Sequence, residues 1–155
     1  MTKEKVIPQM IVASAHHHVT SVTDDLIEEF SRDFGIKLAE AGAVGKKPEK
    51  FYTVFHVNEY REYDYYMELW LEVDELMENT ESIQFQIVPE SEAAYVVVSE
   101  TYENLKPAYD ELFAFVNNRN YSICGYPRET YLPDPNVQSG FLTEIQLPFH
   151  RKSQG

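Results

Sequence analysis

The chain has 155 residues but a single cysteine, Cys124, and no long run of apolar residues. One cysteine excludes an internal disulfide and any zinc site built from several cysteines. A membrane-spanning helix needs about 20 mostly apolar residues, and the N-terminal segment MTKEKVIPQM also lacks the apolar core of a signal peptide. We therefore expect a cytoplasmic protein with no membrane association.

Basic residues are scarce as well. Thirteen Lys and Arg face 26 Asp and Glu, which gives a net charge of −13. This charge repels a phosphate backbone, so we expect no nucleic-acid partner. It suits a cationic ligand, a basic protein partner or solubility alone. The sequence has no G-x-S-x-G motif, phosphate-binding loop or dinucleotide glycine pattern, and no cofactor is expected.

Aromatic residues, in contrast, are abundant. The chain contains 11 tyrosines, 9 phenylalanines and one tryptophan. These side chains serve cores, but tyrosine also lines sites that bind flat aromatic ligands.

Two helices are predicted from apolar spacing. The first runs from about Val22 to Ala41, with Thr20 or Ser21 as capping candidates and Gly42 as its end. The second runs from about Leu105 to Asn117 and is capped by Asn104. Both apolar stripes are typical of surfaces that pack on a sheet.

Strand-like segments surround each helix in the same order of strand, helix, strand, strand. The predicted strands are 10–14, 51–57 and 65–73 around the first helix and 94–100, 128–132 and 141–149 around the second, with 83–88 leading into the second unit. GKKPEKFY resembles GYPRETY, and MELWLEV resembles TEIQLPF. Matches in the same order indicate an internal repeat that pairs Tyr52 with Tyr131 and Glu68 with Glu144.

The histidines at 16–18 are the most tempting metal cluster in the sequence. Three consecutive residues cannot all point at one ion, and no Asp or Glu lies nearby at ligand spacing. We therefore expect a turn with exposed imidazoles and no metal site. The segment YREYDYY (60–66) is interpreted as a surface loop or a strand start.

The segment 93–149, with the order AYVV, YENLKPAYDELF, GYPRETYL and LTEIQLP, resembles the second repeat of the GyrI-like effector-binding domain family. The family includes stand-alone proteins and the ligand-sensing halves of drug-responsive transcription regulators. The resemblance implies an α+β fold: a tandem repeat with pseudo-twofold symmetry and an antiparallel-rich sheet, with both helices on one face and a ligand groove on the other. A single domain over 1–150 and a disordered tail over 151–155 follow. No foldable segment precedes residue 6, so the helical DNA-binding domain of the regulators is not expected.

Alternation along the strands predicts which side chains face the groove. In FLTEIQLPF, Ile145 and Leu147 share one face, and Glu144 and Gln146 lie on the other. The family's pocket glutamate, which meets cationic aromatic drugs in the regulators, corresponds to Glu144. A solvated outer face is the alternative for this residue. The predicted site consists of Glu144 and Tyr109 as catalytic residues and of Trp70, Glu68, Tyr52, Tyr131, Phe55, His56 and Gln146 as ligand-binding residues.

Several of these residues have an ordinary structural alternative. Trp70 is predicted to stack on a ligand but is equally typical of a core. Tyr52 and Tyr131 either wall the groove or are core tyrosines with satisfied hydroxyls. Tyr109 lies off the stripe of the second helix, and its hydroxyl is the one expected to reach the groove floor.

The predicted function is the binding of a bulky, flat aromatic small molecule, with cationic compounds among the candidates, for protection against drugs or genotoxins. Some stand-alone family members hydrolyse cyclopropane-bearing DNA-alkylating compounds, which extends the prediction to a hydrolase. In that mechanism Glu144 is the general base and a groove tyrosine stabilises the developing negative charge. The alternatives are a passive binder and a protein-interaction module, with DNA gyrase as the candidate partner.

Overall fold

A computed structural model describes residues 1–21, 24–99, 105–133, 136 and 140–152. Its elements in chain order are β1 (Lys3–Ile7), β2 (Met10–Ser21), α1 (Asp24–Ala41), β3 (Phe51–Phe55), β4 (Tyr63–Val73), β5 (Gln84–Val88), β6 (Ser91–Ser99), α2 (Leu105–Asn117), β7 (Tyr121–Ile123), β8 (Arg128–Pro133) and β9 (Phe141–Arg151). The chain divides into two compact units. One comprises Met1–Pro8, Val57–Tyr60 and Glu90–Gly155, and the other comprises Gln9–His56 and Arg61–Pro89. We call them the α2 unit and the α1 unit after their helices.

The α2 unit is an antiparallel sheet with one helix. Strand β9 pairs with β6 along one edge and with β8 and β7 along the other, and β1 pairs with β6. The apolar side of α2, formed by Ala108, Leu112 and Val116, packs on Ile145 and Leu147 of β9. These side chains are removed from water, and this burial is the main stabilisation of the unit. The helix therefore covers the sheet face that carries Ile145.

The α1 unit repeats this plan. Strand β4 lies between β2 and β3, and β5 pairs with the other edge of β2, all antiparallel. Phe30 of α1 stacks on His17 of β2, with ring centroids 4.0 Å apart, so α1 lies against the face that carries His17. The helix ends at Gly42, which has a φ of 72°. Glycine adopts this left-handed conformation without a steric penalty, as expected at a helix end.

The order strand, helix, strand, strand is found in both units, as β2, α1, β3, β4 and as β6, α2, β8, β9. The fold class is therefore α+β with antiparallel pairing, as predicted. The bounds of α2 are also confirmed. Val22, Asn104 and the segment 100–104 lie outside the described residues.

Two sequence predictions differ from the structure, and two further features were not predicted. Strand β2 continues to Ser21, so the three histidines lie in a strand and not in a turn. Residues before position 6 do fold, because β1 begins at Lys3 and pairs with β6. The segment 83–88 leads into the second unit along the chain, as expected, but the pairing of its strand β5 with β2 in the α1 unit was not predicted. Strand β7 was not predicted, since a three-residue strand leaves almost no alternation in the sequence.

Candidate functional site

Glu129 of β8 carries a buried carboxyl group in the α2 unit. It pairs across the ladder with Ile145 of β9, and directly opposite residues point to the same face of a sheet. Because Ile145 packs against α2, Glu129 also points toward the helix. Only 6% of the residue is exposed. The local sequence forces this arrangement, since Arg128 and Glu129 are consecutive in a strand and one of the two must face the helix.

Two tyrosines bind this carboxyl group. The Tyr109 hydroxyl donates to Glu129 Oε2 at 2.6 Å, and the Tyr131 hydroxyl donates to Oε1 at 3.3 Å. Burial raises the pKa of Glu129 above its ordinary value, and the two tyrosine hydrogen bonds offset only part of that rise. Among the described residues, no Lys, Arg or His forms an ion pair with Glu129.

Aromatic rings extend outward from these two tyrosines. The ring of Tyr60 lies 5.6 Å from that of Tyr109, and the ring of Phe141 meets that of Tyr131 edge-on at 5.6 Å. Tyr131 and Phe141 are each 41% exposed, whereas Tyr109 is buried. The α2 unit thus contains a cluster with an acidic, buried end and an aromatic, exposed end. We call Glu129, Tyr109, Tyr131, Tyr60 and Phe141 the acid–tyrosine cluster.

Glu144 lies on the opposite face of the same sheet. Its cross-strand partner is Thr130, one residue from Glu129, so the two glutamates point in opposite directions. Glu144 is 4% exposed and forms an ion pair with Lys5 of β1 at 2.8 Å. Gln146 donates its side-chain amide to Glu144 and accepts a hydrogen bond from Arg128 Nε at 2.8 Å. The predicted orientation of Glu144 and Gln146, away from the helix, is observed, and the solvated alternative for Glu144 is not.

Glu68 is the corresponding carboxylate of the α1 unit, and both of its oxygens are hydrogen-bonded. Oε2 is hydrogen-bonded to His56 Nε2 at 2.6 Å, and Oε1 accepts from Trp70 Nε1 at 3.0 Å and from Gln86 Nε2 at 3.3 Å. Burial alone raises the pKa of Glu68, but the hydrogen bonds from Trp70 and His56, with the imidazole of His16 nearby, outweigh it. The pKa of this carboxyl group therefore lies below its ordinary value.

The aromatic residues predicted for the α1 unit divide between the two sheet faces. Tyr52 pairs across the ladder with Trp70, and both are buried in an apolar cluster with Val12 and Val54. Phe55 pairs with Met67 and therefore lies on the helix side, where its ring is 5.8 Å from that of Tyr65. Phe55 does not share a face with Trp70.

Two predicted relationships are wrong. Tyr109 was placed beside Glu144, but its hydroxyl reaches Glu129, on the other face of the sheet. Tyr131 was taken as the repeat equivalent of Tyr52. The ladders instead place Tyr52 opposite Trp70 and Arg128 opposite Gln146, so Arg128 is the equivalent of Tyr52. The error arose because the tyrosines were aligned through loops of different length, whereas the ladder register fixes the pairing.

Four residues that make these contacts were not predicted from the sequence: Glu129, Lys5, Arg128 and Gln86. A signal for Glu129 was present, since a strand with two successive charges must direct one of them to its covered face. Lys5 gave no signal, because its contact with Glu144 spans 139 residues. The three histidines alternate as strand residues do, with His16 near Glu68, His17 on Phe30 and His18 near Asp64. Within the described ranges no three His, Cys, Asp or Glu are grouped to bind a metal, and no helix is long and apolar enough to cross a membrane.

Comparison with known proteins places this arrangement in a family. The model of the GyrI-like small molecule binding domain matches residues 2–150, which includes both units. The chain belongs to the GyrI-like family. It thus carries a small-molecule binding domain, which confirms the family predicted from the segment 93–149. Comparison with curated protein sequences gives no match.

Solved structures agree with this assignment. The C-terminal domain of EcmrR is 26% identical, with a TM-score of 0.84 and 98% of each chain covered. The EcmrR chain in a cryo-EM structure of an EcmrR–DNA complex is also similar, with a TM-score of 0.83. This GyrI-like chain spans 58% of the length of that longer EcmrR chain. A hydrolase from Listeria innocua shares the fold at 10% identity and a TM-score of 0.60. The match covers 96% of this chain and 91% of the hydrolase chain. SAV2435, solved with tetraphenylphosphonium, shares it at 9% identity and a TM-score of 0.56, covering 97% and 94%.

Proposed function

We propose that the GyrI-like chain binds a flat aromatic cation at the acid–tyrosine cluster, with Glu129 as its anionic partner. One observation carries this proposal. Glu129 is buried and accepts hydrogen bonds from two tyrosines, yet within the described part of the chain it has no cationic side chain for a partner. Burying a carboxylate without a countercharge is costly, and the raised pKa of Glu129 reflects that cost. A ligand cation supplies the missing charge.

The aromatic end of the cluster supports the same ligand class. Tyr131 and Phe141 present partly exposed rings next to the acid. Rings of this kind stack on flat aromatic groups, and a cation over a ring face gains about 0.5–2 kcal/mol. An aromatic cation therefore combines ring contacts with a charge interaction at Glu129, and a neutral analogue of the same shape retains only the ring contacts.

Binding of a cation is expected to ionise Glu129. Burial raises the pKa of Glu129, so the carboxyl group stays protonated at pH values where an ordinary glutamate is ionised. A cation that binds beside it favours the charged form, and binding therefore releases a proton. Proton release is a specific consequence of the proposed site, and a cation bound elsewhere on the acidic surface would not produce it.

Calorimetric titration with the flat cation 1-methylquinolinium and with its neutral isostere 1-methylnaphthalene tests the proposal. We expect the cation to bind more tightly than the neutral compound, with proton release visible as a dependence of the heat on buffer ionisation. Glu129→Gln should reduce cation affinity by roughly 10-fold or more, the effect of a lost charged partner, and leave the neutral compound unaffected. Glu90→Gln removes the same charge from an exposed position of the α2 unit and is the matched control. Equal cation affinity in both variants would contradict the proposal.

The remaining predicted ligand contacts, Trp70, Glu68, Tyr52, His56 and Gln146, form a second part of the proposal. Glu68 already binds His56 and Trp70, and Gln146 is fixed between Arg128 and Glu144. In the α1 unit a ligand contacts a carboxylate that already accepts hydrogen bonds from Trp70 and Gln86, so we propose that these residues contribute shape and not net charge. Gln146, in the α2 unit, is proposed as a separate contact.

Hydrolysis of cyclopropane-bearing DNA-alkylating compounds is a second candidate function, in the service of detoxification. The observation that favours it is the pairing of a carboxyl group of raised pKa with a tyrosine hydroxyl, as in Glu129 and Tyr109. Groups that titrate nearer to neutral pH are the effective general acids and bases. Incubation with such a compound followed by mass spectrometry distinguishes turnover from binding, since hydrolysis adds the mass of one water.

A protein-interaction role, with DNA gyrase as the candidate partner, has no support from the comparisons. Only the net charge of −13 favours a basic partner. A pull-down with gyrase that is lost at high salt is the observation that would support it.

A further inference from the structure

The Lys5 ammonium group occupies a position that matches the requirements of a ligand cation. Lys5 Nζ lies 2.8 Å from Glu144 Oε2 and 4.4 Å from the centroid of the Tyr95 ring. An ammonium group between a carboxylate and an aromatic face makes the two contacts that proteins use to recognise organic cations. The chain thus supplies its own cation at this position.

The carboxylate that receives Lys5 is held firmly in place. Arg128 fixes the amide of Gln146, and that amide in turn donates to the same oxygen of Glu144 that binds Lys5. All three side chains are almost completely buried. Among the described residues, none donates a hydrogen bond to the other oxygen, Oε1. Glu144 is therefore oriented independently of Lys5 and retains its acceptor capacity.

The ammonium group of Lys5, in contrast, can move away from Glu144. Its side chain is 36% exposed, against 6% for that of Glu144. Within the α2 unit, its strand β1 is paired with β6 alone. A lysine stem has four rotatable bonds, so the ammonium group can move into water without a change in the backbone.

We propose that Lys5 is a specificity-determining residue: an intramolecular cation that occupies Glu144 and Tyr95 and admits only ligand cations able to displace it. This inference rests on the proposed function, because it concerns organic cations, but it concerns a carboxylate other than Glu129. A neutral aromatic ligand gains nothing by displacing Lys5, since the displacement would leave Glu144 buried and uncompensated. A cation replaces both of the contacts that Lys5 makes.

Competition by a tethered group lowers the apparent affinity in proportion to the fraction of time that the site is free. If Lys5 is seated for about 90–99% of the time, its removal should raise cation affinity by roughly 10- to 100-fold. The increase should depend on Glu144 and on the charge of the ligand.

The test uses benzyltrimethylammonium, with benzyl alcohol as its neutral counterpart. All variants carry Glu129→Gln, so that the acid–tyrosine cluster does not contribute. In this background Lys5→Met should raise the affinity for benzyltrimethylammonium by roughly 10- to 100-fold, and adding Glu144→Gln should abolish the increase. Lys3→Met removes the same charge two residues earlier on β1, where the described residues provide no ion pair, and should have no effect. Lys5→Arg retains a cation and should bind as weakly as the parent.

A second measurement covers the case in which Lys5→Met does not fold, as judged by circular dichroism. In the unmodified chain, saturating benzyltrimethylammonium should accelerate acetylation of Lys5 relative to Lys3, as followed by mass spectrometry, because a displaced ammonium is exposed. Unchanged affinity in folded Lys5→Met, or an equal rise in Lys3→Met, would overturn the inference. So would unchanged Lys5 acetylation. The effect of Glu129→Gln in the chain with Lys5 intact tests the proposed function separately.

Discussion

The hydroxyl of Tyr109 lies 2.6 Å from Oε2 of Glu129, so helix α2 and strand β8 are joined through a buried acid. The short distance matches a strong hydrogen bond to a carboxyl group. It also accounts for the position of Tyr109 beside the main apolar stripe of the helix, where the hydroxyl reaches the sheet. A helix that only covered a core would need no polar group at this point.

Glu129→Gln should change how the stability of the chain depends on pH. The pKa of Glu129 is raised in the folded state, so above about pH 4 the unfolded chain loses a proton that the folded chain retains. The folded state then binds more protons than the unfolded state, and wild-type stability falls as pH rises toward the folded pKa, by up to about 1.4 kcal/mol per pH unit. The glutamine variant lacks this term, so its stability relative to wild type should increase over that pH window.

Urea unfolding at several pH values, with Glu90→Gln as the control for removal of an exposed charge, measures the difference. A constant offset between Glu129→Gln and wild type at all pH values would show that Glu129 does not change its protonation on folding.

Tyr109→Phe and Tyr131→Phe should differ in their effects, although each removes one hydroxyl from the same acid. Tyr109 is buried and its bond is 2.6 Å long, whereas Tyr131 is 41% exposed and its bond is 3.3 Å long. Loss of the buried hydrogen bond should cost about 1–3 kcal/mol and raise the pKa of Glu129 further, and loss of the longer bond should cost less. Chemical denaturation of both variants checks this order, and the reverse order would place the anchoring bond at Tyr131.

Alternation along strands predicted the faces correctly wherever one face is covered by apolar side chains. Ile145 and Leu147 face α2, and Glu144 and Gln146 face away from it, as expected from FLTEIQLPF. The residues of α2 follow the same logic, because its stripe is regular over the whole helix.

Partners distant in sequence were not predictable in this way. The contact of Lys5 with Glu144 depends on β1 pairing with β6, and this five-residue strand, with three charged residues followed by two apolar ones, has no alternation to indicate it. Glu129 was overlooked because the motif GYPRETY was interpreted through its tyrosine, although its ladder position opposite Ile145 is what directs the carboxyl group to the helix.

Glu68→Gln should destabilise the chain most at neutral pH. The pKa of Glu68 is lowered in the folded state, so its stabilising contribution is present above the unfolded pKa of about 4.3 and is lost as pH falls through the folded value. The variant should therefore approach wild-type stability in acid. Glu62→Gln, an exposed position of the same unit, is the control. A pH-independent difference would mean that Gln fails for reasons of shape and not of charge.

Trp70 should report directly on its surroundings, because it is the sole tryptophan of the chain and its indole N–H is bonded to Glu68. If ligand stacks on Trp70, a polyaromatic compound should quench its fluorescence and Trp70→Ala should weaken binding by roughly 1–3 kcal/mol. Saturable binding with unchanged emission would assign Trp70 to the apolar cluster that contains Tyr52 and Val12.

Glu144→Gln and Glu129→Gln together separate hydrolysis from binding and assign the general base. The residues predicted for this role were Glu144 and Tyr109, but Tyr109 is hydrogen-bonded to Glu129, and Glu144 is paired with Lys5. If the chain hydrolyses a cyclopropane-bearing compound, the variant that lacks the proton acceptor should lose about 10²–10⁴-fold in turnover, the usual contribution of general acid–base catalysis. We expect that loss in Glu129→Gln. Glu144→Gln should retain most of the turnover, because the wild-type Glu144 carboxylate is already paired with an ammonium group.

Product formation by mass spectrometry and ligand affinity should be measured side by side, with circular dichroism as the folding control. A large loss in Glu144→Gln alone would return the catalytic role to the residue predicted from the sequence, and an absence of product with wild type would leave a binding protein.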